Sequence, residues 1–218
     1  MSTEAPEPSL VGLSLSGSTA YAPSASGHSA SSPTKTSNST SFSFPPFAAF
    51  PPFYTLQPNL TTRARQLDLW SSLILSYCAY HRLFKLSLSS PPQDLFQNTS
   101  IKRSLKPNDI RAVLEYMSQS GRTVDFIPSA SRSEQSNTCW VYWRSIGEWA
   151  DTIYGWVDDT GQKGAVLTVY ELREGEGVIG REWEGVEEEF LRKVLNVLVK
   201  RGKCQVFGQE EGAGVKFF

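Results

Sequence analysis

From about Thr61 to its last residue the chain passes twice through one succession of helices and strands, which narrows its folds more than any other feature. In the first pass Thr61 or Thr62 can cap a helix reaching about Arg82, on which Leu67, Trp70, Ile74, Tyr77 and Cys78 return at intervals of three and four as one apolar stripe. Leu83 to Leu88 alternates in the strand manner up to the break at Ser89-Ser90-Pro91-Pro92. A short helix is predicted around Asp94 to Lys102. A clearer one opens at Pro107, carries Ile110, Val113, Leu114 and Met117 at i, i+3, i+4 and i+7, and stops at Gly121. Val124 to Ile127 and Thr138 to Trp143 read as two strands around a polar loop.

The second pass is weaker. Ser145 and Glu148 stand at capping-box spacing ahead of a helix bearing Trp149, Ile153, Trp156 and Val157 and closed by Gly161. Val166 to Leu172 reads as a strand, and Glu187 to Arg201 as a helix whose Phe190, Leu191, Val194, Leu195 and Leu198 face inward. Cys204 to Phe207 and Val215 to Phe218 pair as the closing hairpin. This element order is that of a winged helix, so the expected fold class is α+β, two winged-helix domains in tandem over 61–144 and 145–218. Roughly two or three residues connect them, which predicts a fixed angle. Trp140 and Trp143 have opposite parity on one strand, so one of them is expected at the domain boundary or a partner surface.

Residues 1–43 hold 14 Ser and 5 Thr and no apolar period, and are expected to be a disordered leader. Phosphorylation is a further role open to it. At Phe44 the texture changes to FPPFAAFPPFYTLQPN, five aromatics and five prolines in 16 residues. Proline fixes φ and donates no backbone hydrogen bond, so 44–60 is expected to be extended and to present its rings to a groove.

Chemistry is not indicated. No phosphate-binding loop, dinucleotide fingerprint, nucleophile elbow or H-E-x-x-H motif occurs. Cys78, Cys139 and Cys204 are too far apart to form a disulfide framework or, with His28 and His81, a zinc site, so no metal or cofactor is expected. Cys78 and His81 sit three apart on a helix, but the thiol belongs to an apolar stripe and the imidazole to a polar helix end. No run of about 18 apolar residues is present and the N-terminus has no signal-like h-region, which points to a cytoplasmic chain with no membrane span. The sequons at Asn38, Asn59 and Asn98 are then unused.

Winged helices often bind DNA. Residues 45–144 carry 11 basic and 6 acidic side chains, net +5; residues 145–218 carry 9 and 14, net −5. A duplex binder concentrates cations on its recognition helix, whereas Arg111 here faces Asp109 and Glu115, and the second such helix begins Glu187-Glu188-Glu189. The alternative of a nucleic-acid-binding regulator therefore rests on the surplus in the first half, including Arg63, Arg65, Arg82 and Arg103. The negative half is expected to offer Glu187 to Glu189 to a basic helix of a downstream partner.

Pro51-Pro52-Phe53-Tyr54 fits P-P-x-Y, the pattern by which extended ligands dock on aromatic-lined WW-type grooves, and Pro45-Pro46-Phe47-Ala48 approaches it six residues earlier. A lead-in that packs on its own domain is the plain alternative. The strings FPPFYTLQPN with the following Arg65-Gln66-Leu67 helix, IYGWVDDTGQ (153–162), LTVYEL (167–172) and GVKFF (214–218), in this order and spacing, resemble the small-subunit family of the ESCRT-II endosomal sorting complex. The resemblance spans roughly 44–218; the Ser-rich leader has no counterpart in it.

That resemblance implies two winged helices and no enzymatic activity or small-molecule ligand. It implies a cytoplasmic protein recruited to the endosomal membrane, touching membrane only through its complex. The N-terminal motifs would bind the two larger ESCRT-II core subunits, and the second winged helix would recruit an ESCRT-III subunit during multivesicular body sorting of ubiquitinated cargo. Carried over by position, the candidate partner-binding residues are Pro51, Pro52, Phe53 and Tyr54 of a full motif and Pro45, Pro46 and Phe47 of an upstream one. Ala48 stands where relatives with two complete motifs have an aromatic, which shifts expected affinity toward Tyr54.

Overall fold

The computed structural model describes residues 41–120, 123–129, 136–208 and 212–218. The expectations for a disordered leader, for a stop at Gly121 and for the tip of the last hairpin fall wholly or mainly outside these residues. Helix α1 (Leu60–His81) is capped by Asn59 rather than by Thr61 or Thr62. The Asn59 carboxamide oxygen accepts the Thr62 N–H at 3.1 Å and its hydroxyl at 3.3 Å, and the short amide outcompetes the hydroxyl for the first orphan donors. At the other end Arg82 is left-handed (φ 53°), and the Leu83 N–H reaches back to the Cys78 carbonyl at 2.8 Å.

After strand β1 (Lys85–Ser87) the expected helix over Asp94 to Lys102 is cut short. Helix α2 spans only Gln93–Phe96 and gives way to a hairpin of β2 (Gln97–Asn98) and β3 (Arg103–Ser104). Asn98 is the cause. Its side-chain oxygen accepts the N–H groups of Ser100 (3.0 Å) and Ile101 (3.3 Å), a local turn that competes with helix. Helix α3 (Pro107–Ser120), with Pro107 in its first turn, and strands β4 (Val124–Phe126) and β5 (Thr138–Val141) complete the first winged helix as read from the sequence.

The first sheet has the order β1-β5-β4, all antiparallel, with Leu86 and Phe126 both opposite Cys139. Both of its faces are covered. Cys139 and Val141 turn into a core with Trp70, Ile74, Leu114 and Met117, while Trp140 and Tyr142 turn into a second core with Trp149, Phe190 and Leu191. Trp140 is therefore the boundary tryptophan, and Trp143, partly buried, packs against both clusters.

The second winged helix begins at α4 (Ile146–Asp159), whose capping box is formed as expected: the Glu148 N–H donates to Ser145 Oγ at 3.2 Å and the Ser145 N–H to Glu148 Oε2 at 2.7 Å. The strand expected over Val166 to Leu172 is corrected. Strand β6 ends at Thr168 (Val166–Thr168), and helix α5 (Val169–Glu174) starts there because Thr168 and Glu171 make a second capping box, at 3.0 and 2.6 Å. Helix α6 (Glu188–Lys200) and strands β7 (Cys204–Phe207) and β8 (Gly214–Phe217) follow, giving a second sheet of order β6-β8-β7.

Four ion pairs bind the halves: Lys85–Glu187 (2.5 Å), Arg144–Glu182 (2.8 Å), Lys193–Asp125 (3.2 Å) and Arg82–Glu184 (3.5 Å). All are partly exposed and contribute at most about 1 kcal/mol each, so the shared core supplies the adhesion and the charges align it. The opposite signs of the two halves thus meet within the chain. Glu187, expected to face a downstream partner, is held by Lys85, and Glu188 by Arg192 on its own helix at 2.6 Å.

Candidate functional site

Residues 45–59 contain five prolines, each lacking a backbone hydrogen-bond donor and with its own φ fixed by the ring, and the segment folds accordingly. It is not one extended run. Two 3₁₀ turns, Pro46–Ala49 and Pro51–Tyr54, each with proline at its start, are joined by Phe50 in the β region (φ −90°, ψ 114°). Within each turn only the later N–H groups find carbonyls, such as Ala48 to Pro45 (2.9 Å) and Phe53 to Phe50 (3.0 Å). The remaining carbonyls need donors from elsewhere.

Side chains of the first winged helix supply them. Gln66, the one buried polar side chain among the described residues, donates to the carbonyls of Phe53 (2.8 Å), Thr55 (3.0 Å) and Pro52 (3.3 Å) and accepts the Gln57 N–H at 3.1 Å. The Trp70 indole N–H donates to the Phe53 carbonyl at 3.1 Å. Asn98 and the Tyr54 hydroxyl both donate to the Ala48 carbonyl, at 2.9 and 3.1 Å. The segment is thereby fixed against α1 and the β2–β3 hairpin.

This bracket divides the seven predicted site residues. Phe53 (5% exposed) stacks on Trp70 at 4.3 Å with planes 11° apart, and Tyr54 (3% exposed) meets the same indole edge-on at 5.6 Å. Both rings belong to the chain's own core, and burial pushes the Tyr54 hydroxyl above its ordinary pKa against the opposing effect of Asn98. Pro46, Pro51 and Pro52 are exposed, while Pro45 and Phe47 are half-buried. The ring that stands out into solvent is one the motif did not single out: Phe50, at the joint of the two turns, 60% exposed. Phe44, six residues earlier, is 40% exposed and packs edge-on to Phe42 at 5.0 Å.

Sequence reasoning missed Gln66 and Phe50. The signal for Gln66 was a lone amide within an otherwise apolar helical stripe facing donor-poor prolines. For Phe50 it was the position between two proline turns, where φ and ψ are extended and the side chain has no core to enter.

Nothing in the described residues competes as a chemical site. The buried Cys78 thiol is pushed up to about 12 by desolvation and, secondarily, by Cys139, so it is a packing group; His81 is exposed against the Tyr77 and Tyr80 rings. Among the described residues no group of three His, Cys, Asp or Glu side chains could hold a metal ion, and no helix is long and apolar enough to cross a membrane.

With the geometry in hand, comparison with known proteins is decisive. A family model described as ESCRT-II complex subunit matches residues 47–187. Vacuolar protein-sorting-associated protein 25 of Danio rerio is 37% identical over 179 residues, 82% of this chain and 99% of that protein. The Homo sapiens protein of that name is 36% identical over 179 residues, 82% and 98% of the two chains. Among solved structures, subunit VPS25 of the endosomal trafficking complex ESCRT-II superposes with a TM-score of 0.70 at 29% identity, covering 80% of this chain and 98% of that one. A chain of the endosomal complex ESCRT-II (VPS22/VPS25/VPS36) does so at 0.69 and 28%, covering 79% and 98%. Two abutting winged helices, a bracketed proline-aromatic lead-in and these matches lead to one conclusion: the chain belongs to the ESCRT-II complex subunit family, in the group of vacuolar protein-sorting-associated protein 25.

Proposed function

We propose that this chain is a non-catalytic subunit of ESCRT-II whose N-terminal segment docks into the other core subunits. From that anchorage its second winged helix recruits an ESCRT-III subunit during multivesicular body sorting of ubiquitinated cargo. It works from the cytoplasm and meets the endosomal membrane through its complex. The solved complexes that resemble it, which contain VPS22 and VPS36, support the choice of partners.

The carrying observation is the exposure of Phe50 on a pre-formed double turn. Pro46, Pro51 and Pro52 flank it, and Pro45 and Phe47 line the same segment. A rigid turn loses little entropy on docking, and a protruding aromatic is a natural hot spot worth about 2 kcal/mol. Phe53 and Tyr54 hold the turn rather than enter the partner. The same burial weighs against a WW-type ligand, because Tyr54 would have to leave its Trp70 contact and its bond to Ala48 before a groove could take it.

Co-expression with the two larger core subunits, followed by mass measurement of the intact assembly, tests this. The complete complex is expected for the natural chain and a complex lacking this subunit for Phe50→Ala combined with Pro51→Ala and Pro52→Ala. Undiminished assembly by that variant would refute the docking role.

A further inference from the structure

The basic side chains of the first half that lie among the described residues fall into two groups. Arg82, Lys85 and Arg144 are engaged by glutamates of the second half, and Arg111 donates to the Ser136 carbonyl and the Asn137 amide. Arg63, Arg65, Lys102, Arg103 and Lys106 are different: among the described residues none has a carboxylate within 4.0 Å, a side-chain hydrogen bond or a ring beneath it. Arg65, Lys102, Arg103 and Lys106 are exposed and Arg63 is half-buried.

Their placement follows from the bracket around the docking segment. Arg63 lies one turn before Gln66 on the α1 stripe that holds the Phe53 carbonyl, with Arg65 beside it toward solvent. Arg103 is on β3, which packs against the second proline turn; Lys102 precedes it, and Lys106 ends the connection to α3. The carboxylates on the same elements are Asp68, one turn past Arg65 on α1 and bonded by the Tyr116 hydroxyl at 2.6 Å, Asp94 on α2 and Asp109 in the first turn of α3, and none pairs with the five. An apolar, proline-framed protrusion is therefore flanked on both sides by unneutralised cations.

Resting on the docking role proposed above, we infer that the surface receiving this segment is an apolar pocket rimmed with carboxylates, and that the five cations steer its approach. Complementary charge at the edge of an apolar contact acts chiefly on the association rate, whereas the buried ring acts on dissociation. The division of labour is thus Phe50 for residence and the cationic flanks for encounter.

The test is stopped-flow association of the full chain with the co-purified pair of larger core subunits from the same source, from 50 mM to 1 M salt. In a variant carrying Arg63→Gln, Arg65→Gln, Lys102→Gln, Arg103→Gln and Lys106→Gln, association at low salt is expected to slow by about tenfold or more, with the dissociation rate unchanged. The difference should vanish at 1 M, where the Debye length is about 3 Å. Lys203→Gln with Lys216→Gln removes charge from the distant second half and should leave the rate alone. A milder pair, Arg103→Gln with Lys106→Gln, keeps the test valid if the fivefold variant melts early. Equal rates for the natural chain and both flank variants at every salt would overturn the inference, as would submicromolar duplex DNA binding at physiological salt that the fivefold variant loses. Phe50→Ala separates the two ideas: if it leaves dissociation untouched while the flank variants still slow association, docking through Phe50 is wrong and the steering stands.

Discussion

The two three-stranded sheets share a strand order, first, third, second, and the same antiparallel pairing, yet they meet different surroundings. The sheet of the first winged helix is walled in on both faces, with Cys139 and Val141 in one core and Trp140 and Tyr142 in the other. That of the second has one face on α4 and α6, while Val166 (59% exposed) and Phe207 (44%) look outward. The difference teaches that a single topology can serve as an internal partition or as an outer skin, depending on what the residues of the second parity are. Trp140 and Tyr142 together recruit a second layer, whereas a face on which Val166 and Phe207 stand among Lys216, Gln205 and Gly214 does not.

The strongest way to break this contrast is Trp140→Ala. Its ring is fully buried, lies 5.9 Å from Phe190 and carries Lys85 and Lys193 at 4.6 and 5.4 Å, one cation from each half. A loss of about 3–5 kcal/mol is expected, lowering a single calorimetric transition for the whole body. If the transition splits so that one half melts at its original temperature, the partition does not couple them. Phe53→Ala should cost about 3 kcal/mol through the lost Trp70 stack, read by urea titration, whereas Phe50→Ala should leave the midpoint in place and weaken complex formation by roughly 30-fold. Equal effects of the two on stability would erase the distinction between holding ring and docking ring.

Smaller effects sharpen the comparison. Lys85→Gln with Glu187→Gln should shift stability by less than about 1 kcal/mol in a double-mutant cycle, because both groups are partly exposed. A coupling above about 2 kcal/mol would mean the charges, not the shared core, join the halves. The smallest effect is a pH dependence contributed by two glutamates of the second half. Glu148 and Glu171, each accepting the backbone N–H and hydroxyl of its cap residue, titrate below the ordinary carboxylate range. Their contribution is present above the unfolded carboxylate pKa and is lost as pH falls through the lower folded value. Glu148→Gln with Glu171→Gln should flatten the acid limb of the stability profile, and an unchanged limb would place that sensitivity elsewhere.

Much of the fold was legible because its signals are local. The α1, α3 and α6 stripes and the Ser145–Glu148 box need only spacing, and each appears within a residue or two of where it is expected. Where reading failed, two local signals competed. Val-Leu-Thr-Val-Tyr has strand composition, but Thr168 and Glu171 close a cap, and the cap wins because α5 can bury Val169 and Leu172. Asn98 likewise ended a helix by turning its own amide onto the backbone. The proline-aromatic segment was legible as a break from the globular texture but not in its parts, since which rings are spent inward depends on Gln66 and Trp70, many residues away. Parity alone could flag a boundary tryptophan, not say that Trp140 would fill it.

A strand that belongs to two interiors at once also leaves no hinge between the two winged helices. Tilting the N-terminal end would swing the far hairpin as a wrench swings its handle, with the mounting angle alone deciding where that hairpin arrives. Lengthening the joint after Trp143 by a few glycines would leave that aim intact, because the shared interior and not the joint holds it; emptying the interior at Trp140 would convert the wrench into a tether.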